Sequence, residues 1–554
     1  MKNLKYIYFS LGILAFTACN EPEDVDLEPE GMAEALAELN AGSADFSTYV
    51  SLGNSLTAGF TDGALFQAGQ TNSFPNLLSQ KFSLAGGGGF TQPLINDNIG
   101  GLLLGGAKIT DPRFYFYSDT DPDDDFDSGP YLLGVIPHEN DFTPVSPLTD
   151  IAVDNPSGPF NNMGVPGAKS FHLLAPGYGN VANLSAQSAN PYFVRMTGAT
   201  PDARVLELAM AQSPTFFTLW IGNNDVLGYA LSGGDGTNPI TDQPTFDFAI
   251  NTLVTTLTSS GAKGVMANIP YVTSIPHFTT VPHDPIDPGE NDFAAQVPTL
   301  NMVYGALNEV YTDLGETERV VVFSDTLDNA VVIKDEALVD ISAQITGALI
   351  NSQTFPAFVE TRLGLPEDAV PLVASLLGTT YGQTRAATEN DLLVLPSSKV
   401  IGTVNEESFA ALSAANLPAA VAGQFSVEGI TLPLADKWVL TPEEQDEIKI
   451  ATDQFNATIT SAASAAGLAF VDANQLLQDL AQGGVTDGDF TLTANLVTGG
   501  GFSLDGVHLT ARGYALIANE FMKAIDATYQ SNFEASGSLF NIGNFPTNYS
   551  PALQ

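Results

Sequence analysis

Apolar residues along this chain fall into two rhythms. Five short runs, at 48–52, 215–221, 264–269, 319–323 and 467–472, are nearly continuous in apolar character. Runs of that length read as β-strands buried on both faces, the signature of a parallel sheet. Between them the spacing changes to that of a helix. Phe246, Ile250, Leu253 and Leu257 recur every three or four residues and predict one amphipathic helix. Thr441-Pro442-Glu443-Glu444 is a capping box with proline at the first helical position, and Ile448, Ala451, Phe455 and Ile459 follow on one face. Thr510 caps a last helix carrying Tyr514, Ile517, Phe521 and Ile525. Strands alternating with helices predict an α/β fold around a mostly parallel sheet.

Two stretches break the alternation. Residues 86–160 are rich in Gly, Asp and Pro. Residues 334–440 begin with a helical pattern (Leu338, Ile341, Ile345, Leu349) and continue as irregular, Ala- and Pro-containing sequence. Strand-like segments resume after each, so both read as insertions into one domain, a separate helical domain over 334–440 being the alternative. The chain has 554 residues, 44% of them hydrophobic, enough for a packed core. Its 18 Lys and Arg against 63 Asp and Glu give a net charge of −45, which excludes nucleic-acid binding, since that requires clustered cations. The same field suits a neutral substrate better than a polyanion.

The N-terminus reads as an address. Lys2 and Lys5 precede a mostly apolar stretch, 6–18, too short to span a bilayer but fitting the apolar part of a signal peptide. The single cysteine, Cys19, excludes an intramolecular disulfide. It follows Phe16-Thr17-Ala18, which resembles a bacterial lipobox with Phe16 in place of the usual aliphatic residue. That resemblance implies cleavage after residue 18, lipidation of Cys19 and attachment to the outer membrane, at its periplasmic face or at the cell surface. Residues 20–45 are acidic and poor in aromatics and read as a solvated tether, with the folded domain over 46–530 and a tail over 531–554.

Four short blocks carry candidate chemistry. Gly53-Asn54-Ser55-Leu56 follows the first strand, so Ser55 sits on a tight turn at a helix N-terminus, where free N–H groups favour negative charge. Asn162-Met163-Gly164-Val165-Pro166-Gly167 and Gly222-Asn223-Asn224-Asp225 supply backbone N–H groups and Asn amides, the donor types that bind an oxyanion. Asp505-Gly506-Val507-His508 places a carboxylate three residues before an imidazole, a spacing that can orient the ring. Taken singly, each block also reads as an ordinary turn or cap.

In this order the four blocks resemble the SGNH/GDSL esterase and lipase family, as does the segment GVMANIPYVTSIPHF at 264–278. The resemblance implies a three-layer α/β/α fold with a central, mostly parallel sheet. It implies Ser55 as nucleophile, His508 as general base and then acid, and Asp505 as its orienting partner. The Ser55 and Gly167 N–H groups and the Asn224 side chain would form the oxyanion hole. Asn162 and Gly164 would shape the turn. The family commonly has Asp before the serine; here the residue is Asn54. No cofactor or metal is implied. The leading expectation is a monomeric lipase or carboxylesterase cleaving small-molecule or lipid esters. A carbohydrate O-acetylesterase uses the same residues, and an inactive surface-binding lipoprotein is the reading from another class. The Asp-rich run at 121–127 lacks the spacing of a calcium loop and reads as a solvated loop. His277, His283 and Asp284 read as loop residues, and Phe114–Tyr117 as core or the wall of a groove.

Overall fold

The computed structural model describes residues 36–118, 128–134, 145–153, 155–290 and 292–553. The expected signal peptide with Cys19, most of the expected tether and the Asp-rich run lie outside the described residues.

Five strands form one parallel sheet: β1 (Tyr49–Gly53), β2 (Asn162–Gly164), β3 (Phe216–Trp220), β4 (Lys263–Ala267) and β5 (Ala469–Val471), in the order β5-β4-β3-β1-β2. Every residue of β1 and β3 is buried, as continuous apolar runs require. The main helices are α1 (Ser55–Ala58), α2 (Phe74–Leu84), α3 (Asn223–Leu231), α4 (Gln243–Thr258), α5 (Phe293–Leu314), α6 (Ser342–Asn351), α7 (Val370–Tyr381), α8 (Pro442–Ala465), α9 (Ala473–Gln482) and α10 (Ala511–Tyr529). On one side of the sheet α2 and α10 pack together, with Phe74 and Phe521 rings 4.8 Å apart above Trp220. On the other, α4 and α8 stack Phe246 on Phe455 at 3.9 Å. The chain is thus an α/β protein whose central parallel sheet is clad by helices.

Four of the five apolar runs are strands of this sheet. The fifth, 319–323, is not. Its first residue, Arg319, ends a 3₁₀ turn; the rest lies extended along α5 with its backbone paired to side chains: Asn308 bonds both N–H and C=O of Val321, and Asn301 does the same for Phe323. Two amides on one helix face reproduce a strand partner's hydrogen bonds, so an apolar extended run satisfies its backbone without a sheet. Conversely, Asn162–Gly164, expected as a turn, is the edge strand β2. Its turn function passes to Pro166 and Gly167.

A second hydrophobic core draws on residues 281–439, including α5, α6 and α7, and begins well before residue 334. The helix expected from Leu338 starts later, at Ser342, and leaves Leu338 outside it. It buries Ile345 and Leu349 in this second core rather than against the site. Leu102–Leu104 pairs antiparallel with Ala107–Thr110, and Phe114–Tyr117 pairs antiparallel with Gly129–Leu132.

The chain ends are stitched together. Asn40 and Ser43, assigned to the tether by composition, bond Asn532 and Tyr529. Phe533 and Ile542 of the expected tail are fully buried. The guanidinium of Arg113, also fully buried, donates to the carbonyls of Ser550 and Leu553 at 2.7 and 2.9 Å.

Candidate active site

The site grows from the C-terminal ends of β1, β2 and β3, where an open parallel sheet presents its loops. The β1–α1 corner is tight because its glycines have no room for side chains. A Cβ on Gly53 would strike the Thr57 side chain and the Trp220 carbonyl, and one on Gly164 would strike the Ala58 amide. Asn54 caps α1, its Oδ1 accepting the Leu56 N–H at 3.0 Å, while its amide donates to Asn223 Oδ1 at 3.1 Å. An aspartate there has no proton for that second bond, so asparagine suits this corner.

Ser55 opens α1 and is 7% exposed. Its Oγ lies 2.9 Å from His508 Nε2, across 453 positions of sequence, and His508 Nδ1 lies 2.8 Å from Asp505 Oδ2. Burial alone would raise the Asp505 carboxyl. The adjoining His508 ring and the His508 and Val507 N–H groups outweigh it and hold Asp505 well below the usual carboxylate range. An ionised Asp505 accepts from Nδ1–H, which leaves Nε2 free to accept the serine proton.

The donors expected to hold an oxyanion converge on the same place. The N–H groups of Ser55 and Gly167 have no acceptor among the described residues. Gly167 has φ +78°, a conformation that favours glycine. The Asn224 amide donates to Ala168 O at 2.9 Å, leaving its second hydrogen available. Next to it, fully buried Asp225 accepts from the Ser170 N–H and hydroxyl at 2.8 Å each. Asn190 Nδ2 holds Pro166 O at 2.7 Å. The third block is therefore bonded to the segment that directly follows the second, at Ala168 and Ser170.

Several contributors are visible only in three dimensions. Asp62, 1% exposed and at φ +51°, accepts the Leu504 N–H through Oδ1. Its own N–H donates to Ser503 Oγ, whose hydroxyl donates to Asp505 Oδ1. Burial pushes the Asp62 carboxyl up to about 7; the Leu504 N–H opposes this, and the nearby Asp505 charge adds to it. The Phe60 ring lies 4.6 Å from the His508 ring. The Asp-Gly turn at 62–63 is legible in sequence, but its partner lies more than four hundred residues away.

Two cavities meet at Ser55, Asn224 and His508. One is a narrow slot of about 70 Å³, walled by Trp220, Leu227, Ile275, Leu476, Leu480 and Ile517. The other, of about 560 Å³, is walled by Phe60, Leu231, Phe114, Pro130, Leu395 and Lys399. Phe114 and Pro130 come from the first irregular stretch. Leu395 and Lys399 come from the second, through the turn Leu395–Lys399 rather than through its helix. His277 also lines the wide cavity, and burial lowers its pKa. His283 is not part of either wall; it faces Asp284 at 3.6 Å. Among the described residues no group of three or more His, Cys, Asp or Glu is arranged to hold a metal, and no helix is long and apolar enough to cross a membrane. No family model, curated protein or solved structure matches this chain.

Proposed function

We propose that this chain is a serine ester hydrolase of the SGNH/GDSL type, a lipase or carboxylesterase acting on esters of apolar acids. The observation that carries this reading is the continuous relay from Asp505 through His508 to Ser55 Oγ, with spacings of 2.8 and 2.9 Å, at the junction of two apolar cavities. Ser55 attacks the ester carbonyl while His508 takes its proton. The developing oxyanion receives the Ser55 and Gly167 N–H groups and the Asn224 amide. His508 returns the proton to the leaving alcohol. It then takes a proton from a water that attacks the acyl carbonyl, and gives that proton to Ser55 Oγ as the acyl–Ser55 bond breaks and the acid leaves.

The apolar lining favours lipidic acyl groups over acetylated glycans, which call for polar walls. In this reading residues 1–19 direct export, and lipidated Cys19 attaches the domain to the outer membrane.

The test is hydrolysis of a series of model esters by protein lacking residues 1–19, beside Ser55→Ala. The variant is expected to lose at least about 10³-fold in kcat/KM. Absence of ester and thioester hydrolysis in the wild type, or full activity in Ser55→Ala, defeats the assignment. Acetyl esters cleaved as fast as longer ones would move the substrate to O-acetyl groups. Incorporation of labelled palmitate that survives Cys19→Ala would defeat the anchor.

A further inference from the structure

The wide cavity contains one charge that the proposed chemistry does not use. Lys399 closes the 3₁₀ turn Leu395–Lys399 and lines the cavity together with Ser55 and His508. The turn is held in place. Ser397 is fully buried with its N–H on Val394 O at 2.9 Å, and Val394 itself bonds Trp438 O.

Lys399 has no ion pair, hydrogen bond or ring contact from its side chain among the described residues. Apart from Arg362, every other described Lys and Arg has at least one, whether to a carboxylate, a backbone carbonyl or an aromatic ring. In a chain with 63 acidic residues and 18 basic ones, partners for a lysine are abundant. Among the described residues the one carboxylate in this cavity wall, Asp505, is committed to His508. An anion is thus repelled by the molecule as a whole and meets, among the described residues, one exposed and unpaired cation in the wall of the cavity that holds Ser55 and His508. The narrow slot differs: among the described residues its wall bears no Asp, Glu, Lys or Arg.

We infer that Lys399 selects esters whose alcohol half carries one anionic group, a carboxylate or a phosphate monoester, with the acyl half in the slot and the alcohol half in the wide cavity. The inference rests on the ester-hydrolase reading and narrows its substrate class. Lysine suits this role as a compact, mobile point charge that receives either anion without demanding bidentate geometry.

Two matched pairs test it. The first is the hexanoyl ester of 4-hydroxybenzoate against that of methyl 4-hydroxybenzoate. The second is 1-hexanoylglycerol 3-phosphate against 1-hexanoylglycerol. Within each pair, the ratio of kcat/KM for the anionic to the neutral ester is compared between wild type and variants, which cancels the intrinsic reactivity of the leaving group. Lys399→Ala is expected to lower that ratio on the order of fivefold in at least one pair, and the pair that responds identifies carboxylate or phosphate. Lys399→Arg is expected to hold it within about twofold, and added salt to lower it in the wild type. An unchanged ratio in both pairs for Lys399→Ala, with neutral esters still cleaved, overturns this inference alone. The same holds if Lys399→Arg behaves as Lys399→Ala. Failure of the wild type on all four esters overturns the hydrolase reading as well.

Discussion

Gly63 donates its backbone N–H to Asp505 Oδ2 at 2.8 Å, the oxygen that also accepts from the His508 ring. The orienting carboxylate is therefore held from outside its own loop. The residue before Gly63 completes the clamp, because the Asp62 carboxylate holds the Leu504 N–H. Removing it in Asp62→Ala frees the 503–508 loop, and a lost buried hydrogen bond of this kind is worth about 1–3 kcal/mol. The expected result is a fall of about 10- to 100-fold in kcat with KM little changed. Asp62→Asn keeps an acceptor for Leu504 and is expected to retain most of the activity. Steady-state kinetics on both variants checks this, and a loss confined to KM would count against a positioning role.

Asp62 also predicts a pH dependence of stability. Its carboxyl is raised to about 7 in the folded chain, and burial raises that of Asp225 to about 6. An unfolded chain releases these protons in the ordinary Asp range, so raising the pH from about 4 to 7 favours unfolding through both groups. Asp62→Asn removes one of the two contributions. Its melting temperature relative to wild type is expected to rise between about pH 4 and pH 8, measured by calorimetry. No rise would show that Asp62 is ionised in the folded chain at ordinary values.

Asn224→Ala removes a proposed oxyanion donor and also the bond to Ala168 O. A loss of about 10²–10³ in kcat is expected. Asn224→Asp keeps the side-chain shape but replaces the donating amide with oxygen, and is expected to be as inactive. Recovery of activity in Asn224→Asp would remove this residue from the oxyanion hole.

Leu476 is half-buried on α9 and lines the narrow slot. Enlarging it in Leu476→Trp shortens the space beside Ser55 without overpacking the core. Activity on hexanoyl esters is expected to fall about tenfold or more relative to acetyl esters, as several methylenes lose their burial. Parallel chain-length profiles decide the matter. If they superimpose, the acyl group lies elsewhere.

Deleting residues 546–554 strips the Arg113 guanidinium of the Tyr549, Ser550 and Leu553 carbonyls. A buried charge left short of partners is costly, so a loss of at least about 3 kcal/mol in unfolding free energy is expected. Chemical denaturation measures it; a loss below about 1 kcal/mol would mean that water or other carbonyls replace the tail.

Much of the molecule was legible because local rules carried it. The continuous runs at 48–52 and 215–221 became central strands, since nothing but a doubly covered sheet buries both faces of such a run. The Thr441 box became the N-terminus of α8, its Glu444 carboxylate bonding the Thr441 N–H at 2.8 Å. Run 319–323 misled because apolar extended backbone has the same composition whether its partner is a strand or the Asn301 and Asn308 amides. Residues 40–44 misled in the opposite sense, since acidic composition suggested a solvated tether where bonds to Asn532 and Tyr529 hold them down, and the expected tail after residue 530 packs through buried Phe533 and Ile542.

By itself the sequence determined which chemical groups are present, in what order, and on what turns: a serine at a strand–helix corner, Gly and Asn donors, and an Asp-x-x-His loop. Local backbone geometry sets those turns. Only the tertiary structure decided that Ser55 and His508 meet at 2.9 Å, that Asp62 and Gly63 clamp Asp505, and that two separate irregular stretches wall the cavity around Lys399. Such contacts join positions separated by hundreds of residues, and their free energy depends on packing that no short stretch of sequence contains.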